Sequence, residues 1–496
     1  MSYRAKRTWK DFVEGPRHQA LSRRDFLKRG LATGAMAVVL PEMFGVEWLR
    51  QANAGTLSCT TPMKNPGAIA QLYASGGPTM GARFFSEAQA AAMNSTMAGN
   101  YGISGTSLLK LGPGVVIDTT SVFGMTLLQG PAGFPSTGYA NSAAAWQALV
   151  LSKISAGGHL GPFNADDGAG LNSGLLGSVS LDRATLLGRD VNFYPGPSRA
   201  VWTNGTPAVS VGTASPANLE VPFTLTPAAA GNTSSAEMTN AANGAIAIAQ
   251  ALSPVLGTAT RKGGSNMMNS AGCAFYGNSA ITNPSFAPGL FDPTNIAGLT
   301  GAMTVASLSA QEQALASAFY QSATGVIGGV TVQLGGRDYH GLDPATAIAP
   351  IDIEDARTVV MFLASCYAAQ QPGAFIYVSN GQAIANGVQS VTATVNGAPL
   401  TMNCPVAMGD AAGHYNGGLI LFYSPTGSVP TARYSGTLNS SSGDVTMDPN
   451  VGSAQNAIGG LFMTAHKFIS GTVPNSLMTR MQTAGLATIP NNLILI

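Results

Sequence analysis

Histidine is scarce in this chain. Beyond residue 54 it occurs only as His159, His340, His414 and His466. Two of these stand close to carboxylates. Asp338-Tyr339-His340 places a carboxylate and an imidazole at i and i+2, which share a face wherever the backbone is extended. Such a pair can chelate a divalent cation, and Asp343 is near enough in sequence to assist. Gly409-Asp410-Ala411-Ala412-Gly413-His414 offers a second carboxylate and imidazole, between glycines that let the backbone approach a ligand closely. Both segments could equally be turns in which Asp caps and His bonds backbone. Thr79, in Gly76-Gly77-Pro78-Thr79, carries a hydroxyl that could act as a nucleophile or metal ligand, supported by the amides of a following helix. A tight turn with Thr79 as a local cap is the alternative. Asp166-Asp167-Gly168 could bind Ca²⁺ through oxygen or form a solvated turn. His466 falls in an amphipathic pattern and reads as a core residue.

These residues need elements to position them. Ala68–Ala74 reads as a short buried strand, ended sharply by Ser75-Gly76-Gly77-Pro78-Thr79. Ser86 then serves as N-cap of a helix reaching Met97. A strand, a Gly-rich turn and a helix in that order open many α/β sheets, whose ligands sit beyond the carboxyl ends of the strands. Gly329–Leu334 is a second strand, and the Asp338/His340 loop follows it. Asp352–Gln370 is a long helix whose Asp352, Glu354 and Asp355 suit the dipole of a first turn. Ala374–Val378 is the next strand, which completes a parallel βαβ unit. Val391–Val395, Asn396-Gly397 and Ala398–Met402 spell a hairpin with a type I′ turn. Gly418–Tyr423 is a further strand. Ser142–Ser155, Ala236–Leu252, Ser309–Ser322, Asn456–Ile469 and Pro474–Ala484 have helical periodicity. Residues 157–235, rich in Gly, Ser, Pro and Asn, read as loops and short strands. The expectation is one large α/β domain over 55–496 with a mainly parallel sheet. Insertions fall at about 157–235 and 383–408.

Composition sets outer bounds. The protein has 496 residues, of which 45% are hydrophobic and only 9% charged, enough apolar residue for a large core. A net charge of +1 gives no reason to expect nucleic acid. Residues 1–54 hold 10 of the 24 basic residues and 5 of the 23 acidic ones, leaving 14 against 18, net −4, in the remainder. That basic N-terminus carries an address. Ser22-Arg23-Arg24-Asp25-Phe26-Leu27-Lys28 is a twin-arginine export motif, Gly30–Pro41 is uncharged, and Ala52-Asn53-Ala54 fits a cleavage site. The uncharged run is shorter than the roughly 20 residues of a spanning helix. The expected partner is therefore the twin-arginine translocase, with cleavage near Ala54, no stable membrane span and a periplasmic or extracellular destination. Cys59, Cys273, Cys366 and Cys404 include no C-x-x-C pair, and four cysteines allow three full pairings. Cys366 could equally be a small buried apolar residue.

Together these pieces resemble a group of twin-arginine-exported bacterial proteins related to the alkaline phosphatase/sulfatase superfamily. The residues that carry the resemblance are Ser22–Lys28, Leu72–Thr79, Leu334-Gly335-Gly336-Arg337-Asp338-Tyr339-His340, and Gly409-Asp410 with His414. It implies a three-layer α/β/α fold, alkaline-phosphatase-like, with a divalent metal site at the strand ends. Asp338, His340, Asp410 and His414 would be its ligands, and Thr79 the attacking hydroxyl. The sequence also departs from that pattern. Thr79-Met80-Gly81-Ala82-Arg83 lacks the acid that relatives often have there, and Ser379-Asn380-Gly381-Gln382 replaces a usual Glu-Phe-Gly-Arg. The usual adjacent Asp-His pair is spread out as Asp410 and His414. These changes remove ligands and charge. The expectation is an exported protein with a degenerate metal site and a non-catalytic binding or assembly role. A metal-dependent hydrolase of phosphate or sulfate esters is the alternative.

Overall fold

The structure is a computed structural model. It describes residues 67–74, 76–79, 83–161, 201–203, 206–207, 297–323, 330–334, 336–379, 383–410, 416–431, 433–439, 444–471, 473 and 494–496. All of them fall in one compact unit, Ser58–Gly231 with Ala280–Ile496. The export motif, Asp166-Asp167-Gly168, His414, Cys59 and Cys273 lie outside the described residues. So do the helices expected at Ala236–Leu252 and Pro474–Ala484.

In sequence order the elements begin with β1 (Ala68–Ala74), α1 (Glu87–Ala91), α2 (Ser95–Tyr101), β2 (Leu108–Gly112) and β3 (Val115–Asp118). Then come α3 (Val122–Gln129), α4 (Ser142–Leu149), β4 (Ile154–Gly161), β5 (Val201–Thr203), β6 (Thr206–Pro207) and α5 (Ala297–Thr300). The second half holds α6 (Ala310–Ala323), β7 (Val330–Leu334), α7 (Ala349–Ala369), β8 (Gly373–Ser379), β9 (Ala383–Val395) and β10 (Ala398–Asp410). It ends with β11 (Asn416–Tyr423), β12 (Tyr434–Ser435), β13 (Thr437–Leu438), β14 (Val445–Thr446) and α8 (Ala454–Ser470).

The fold is α/β. Its eight-stranded sheet has the order β12-β4-β11-β8-β1-β7-β5-β6. β1 runs parallel to β7 and β8, β5 parallel to β7, and β12 parallel to β4. β11 is antiparallel to both its neighbours, and β6 is antiparallel to β5. The unit β7–α7–β8 steps over β1, so it is the parallel crossover expected from sequence.

Side-chain alternation assigns the two faces. Phe375 and Tyr377 of β8 join Leu72, Leu419, Leu421 and the apolar stripe of α6 and α7 in one core cluster. Ala374, Ile376 and Val378 face the other way and pack with Ile420, Phe422 and the α8 residues Ile458, Leu461 and Phe462. Helices thus cover both faces, as buried parallel strands require. A smaller cluster joins Tyr339, Ile348 and Ala349 to Ala383, Val391, Val395, Met402 and Cys404. It lies beneath β9 and β10, which form a two-stranded sheet of their own and fold over the start of α7.

Several sequence readings change in detail. The helix expected over Ser86–Met97 is two short ones. Ser86 caps α1 with a capping box, and Asn94 caps α2 by accepting from the Met97 amide, so a second start signal interrupts the first helix. The helix expected over Ser142–Ser155 ends at Leu149, and Ile154 already begins β4. β4 is buried along its whole length, so residues 157–161 belong to the central sheet rather than to a loop-rich insertion. Burial on both sides decides this over the glycine content. The hairpin is longer than expected but turns at Asn396 and Gly397, with φ of 51° and 81°. Both values are positive, as a type I′ turn requires. Cys366 and Cys404 are buried as thiols and do not pair with each other.

Close backbone approach fixes the turn after β1. Gly76 has φ +131°, and a Cβ there would lie 2.4 Å from the Asp338 amide nitrogen and 2.5 Å from the Arg337 carbonyl carbon. Neither backbone atom can step aside cheaply. Gly76→Ala should therefore lower stability by at least about 2 kcal/mol, read as a fall in the urea midpoint at unchanged slope.

Candidate functional site

Four segments meet where β1, β7 and β8 end. The Tyr339 amide donates to the Gly77 carbonyl at 3.1 Å. The Ser379 hydroxyl donates to the Gly76 carbonyl at 3.0 Å. The Ala383 amide donates to the Pro78 carbonyl at 3.4 Å, and Ala383 pairs with Asp410 across the hairpin. The structure therefore brings the turn of Thr79, the loop of Asp338 and His340, and the backbone of Asp410 to one sheet edge. That edge is the carboxyl end of the parallel strands, where open α/β sheets bind ligands. His414 lies outside the described residues, between Asp410 and the start of β11.

The nominated side chains meet only in part. Asp338 accepts from the His340 amide at 3.1 Å and also contacts His340 Nδ1. They form a local pair at the surface, with side chains 64% and 31% exposed. His340 holds the Asp338 carboxyl below its ordinary pKa, outweighing the opposing effect of partial burial. Asp343 does not join them. It caps the helical turn leading into α7 by accepting from the amide and hydroxyl of Thr346, each at 2.8 Å. Thr79 is buried at 1% exposure, and its Oγ1 makes no hydrogen bond to a described residue. Among the described residues, no three His, Cys, Asp or Glu side chains come together as a metal site. His466 is buried in α8, as its pattern indicated.

Beneath this edge lies a charged network that sequence reasoning missed. Arg83 is fully buried. Its Nη2 donates to Asp352 at 2.6 Å, to the Tyr339 hydroxyl at 3.0 Å and to Asp355 at 3.4 Å. Its guanidinium also lies 4.8 Å from the centroid of the Phe123 ring. Asp355 accepts from Arg337 Nε and Nη2 as well, each at 3.2 Å, and from the Tyr377 hydroxyl at 2.6 Å. Arg337 reaches Glu354 too, and the Tyr339 hydroxyl donates to Asp352. Burial opposes the Arg83 charge. Asp352, Tyr339, Tyr377 and Asp355 nevertheless hold its pKa well above the ordinary value. Burial raises the Asp352 carboxyl against the pull of Arg83.

The acids at the start of α7 are thus ligands for two arginines. Read from spacing alone, they had the simpler role of complementing the helix dipole. Asp352 and Asp355 are spaced i, i+3 and continue into Val359 and Phe362, all buried. Acids standing on the apolar face of a helix were the available signal. Tyr339, between Asp338 and His340, points the opposite way from its neighbours. It is fully buried, and its hydroxyl links α7 to Arg83.

Comparison with known proteins adds no relative: no family model, no curated protein and no solved structure matches this sequence. Among the described residues, no helix is long and apolar enough to cross a membrane.

Two stability measurements follow. Breaking a buried ion pair strands the remaining charge, so Arg83→Met should cost about 3–5 kcal/mol. Tyr339→Phe removes one buried hydroxyl and should cost about 1–3 kcal/mol. Chemical denaturation checks both. The Asp343 cap has a pH signature. Hydrogen bonds from the Thr346 amide and hydroxyl lower its pKa. A carboxyl whose folded pKa is depressed stabilises the fold above its unfolded pKa and loses that contribution as pH falls through the folded one. The melting-temperature gap between wild type and Asp343→Ala should therefore be widest near neutrality. It should close as pH falls through and below the ordinary carboxylate range.

Proposed function

We propose that this is an exported protein on an alkaline-phosphatase-like α/β scaffold that acts by binding or assembly, with its recognition surface at the carboxyl edge of the sheet. One observation carries this reading: the arginines nearest that edge are turned inward. Arg83, through Nη2, and Arg337, through Nε and Nη2, donate to Asp352, Asp355 and Glu354 of α7. Anionic ester chemistry needs positive charge facing the substrate. The outward groups here are instead Asp338 and His340, which are bonded to each other. The twin-arginine motif at Ser22–Lys28 supports export through the twin-arginine translocase, cleavage near Ala54 and a role in the periplasm or outside the cell.

If a divalent cation binds, Asp338 and His340 would hold it, with Asp410 at the end of β10 and His414 from the segment that follows. Such an ion would polarise an ester and stabilise its anion. The second reading, a metal-dependent hydrolase of phosphate or sulfate esters, is favoured by Thr79, a hydroxyl without a described partner at the same edge. The two readings separate on one preparation. Export-matured protein would be assayed for metal by elemental mass spectrometry and screened on phosphate and sulfate esters, with and without chelator. The binding reading expects no chelator-sensitive turnover. Turnover that chelation removes, and that a folded His340→Ala variant lacks, overturns it.

A further inference from the structure

Residues 358–409 contain no charged side group. The hairpin β9–β10 lies in this neutral stretch except for its last residue, Asp410, and carries the dipeptide Asn–Gly twice, at Asn386–Gly387 and Asn396–Gly397. Glycine lacks a Cβ, so its amide nitrogen can approach the side chain of the preceding residue closely. We propose that Asn386–Gly387 is a self-modification site and that Asn396–Gly397 is locked against the same reaction. In that reaction the deprotonated Gly387 amide nitrogen attacks Cγ of Asn386. A ring bond forms between that nitrogen and Cγ, the Cγ–Nδ2 bond of Asn386 breaks and ammonia leaves. Water then opens the cyclic imide to aspartate or isoaspartate. Water is the sole co-reactant, and no oxidant or reductant takes part.

The local structures of the two sites differ. Ala385 pairs with Ala407, and Val388 with Pro405, so Asn386 and Gly387 together oppose only Val406. That is a β-bulge, which leaves a residue out of the ladder. The two glycines are alike, Gly387 with φ +89° and Gly397 with φ +81°, each with nothing within 4 Å of its Cβ position. Both asparagines are exposed, but no described residue holds the side-chain amide of Asn386. Asn396 is held at both ends of its amide. Its Nδ2 donates to the Gly130 carbonyl at 3.0 Å, and its Oδ1 accepts from Arg357 Nη1 at 2.7 Å. Arg357 is itself fixed by Glu312 of α6. The Asn396 side chain must leave both partners before its Cγ can meet the Gly397 nitrogen. Conversion at Asn386 would place a carboxylate three residues along β9 from Ala383, which bonds the Pro78 turn.

The test is peptide mapping by mass spectrometry of the folded protein, incubated at mildly alkaline pH and sampled over time. Conversion at Asn386 should outrun that at Asn396 by at least roughly tenfold, because a locked site reacts only through local opening. Arg357→Gln should raise the Asn396 rate towards that of Asn386. Glu312→Gln removes the ion pair but keeps the Asn396–Arg357 bond, and it should leave the Asn396 rate low. Equal rates at the two sites in the wild-type protein overturn the proposal, and that ratio needs no variant. Equal acceleration of Asn396 by both variants also overturns the lock, since it would report lost stability rather than a lost hydrogen bond.

Discussion

Arg83 carries a full charge into the core, and the geometry of the sheet edge follows from satisfying it. A guanidinium with no solvent exposure must meet carboxylates and hydroxyls. Asp352, Asp355 and Tyr339 supply them at Nη2, whereas Nε and Nη1 have no hydrogen-bond partner among the described residues. To do so, α7 must present its i, i+3 acids toward the turn that follows β1, which fixes the rotation of that helix about its axis. Asp355 must also serve Arg337 and Tyr377, which ties the loop after β7 and the end of β8 to the same point. In a protein with only 9% charged residues, so many charges gathered at one place are a large share of the electrostatic design.

The network also explains how an outward-facing pair can sit on a well-fixed loop. In Asp338-Tyr339-His340 the side chains alternate. Tyr339 is drawn down to Asp352 and Arg83, so Asp338 and His340 are carried up to the surface, where they bond each other. The Gly76 backbone packs against the same loop with no room for a Cβ. β9 and β10 then close over the start of α7, pinned at the tip by Asn396 to Arg357 and to Gly130. The edge is thus tied together through its backbone, and its arginines face inward. The recognition role proposed above rests on this fixed edge with its arginines turned inward.

Much of this architecture was legible from local rules. The run Ala68–Ala74, the strand before the Asp338 loop, the long helix and the strand after it follow from burial pattern and length. Asn396-Gly397 announced its turn because few residues other than glycine and asparagine accept positive φ there. Reading failed where two local signals competed. Asn94 restarts a helix that Ser86 had begun, and the glycines of β4 resembled a loop although both faces of that strand are buried.

Element types, the parallel β7–α7–β8 crossover and the nomination of Thr79, Asp338, His340 and Asp410 were all available from the order of residues. Those properties depend on spacing and on neighbours a few positions apart. The roles of the charges were not available in that way, because they are settled by contacts between distant segments. Arg83 and Asp352 are 269 positions apart, and no local pattern couples them. Their partnership is set by burial, since the cost of an unpaired charge exists only once the protein has folded around it. The same cause turned Asp352 and Asp355 from dipole-complementing acids into arginine ligands. Asp343, close to them in sequence, stayed at the surface as a helix cap.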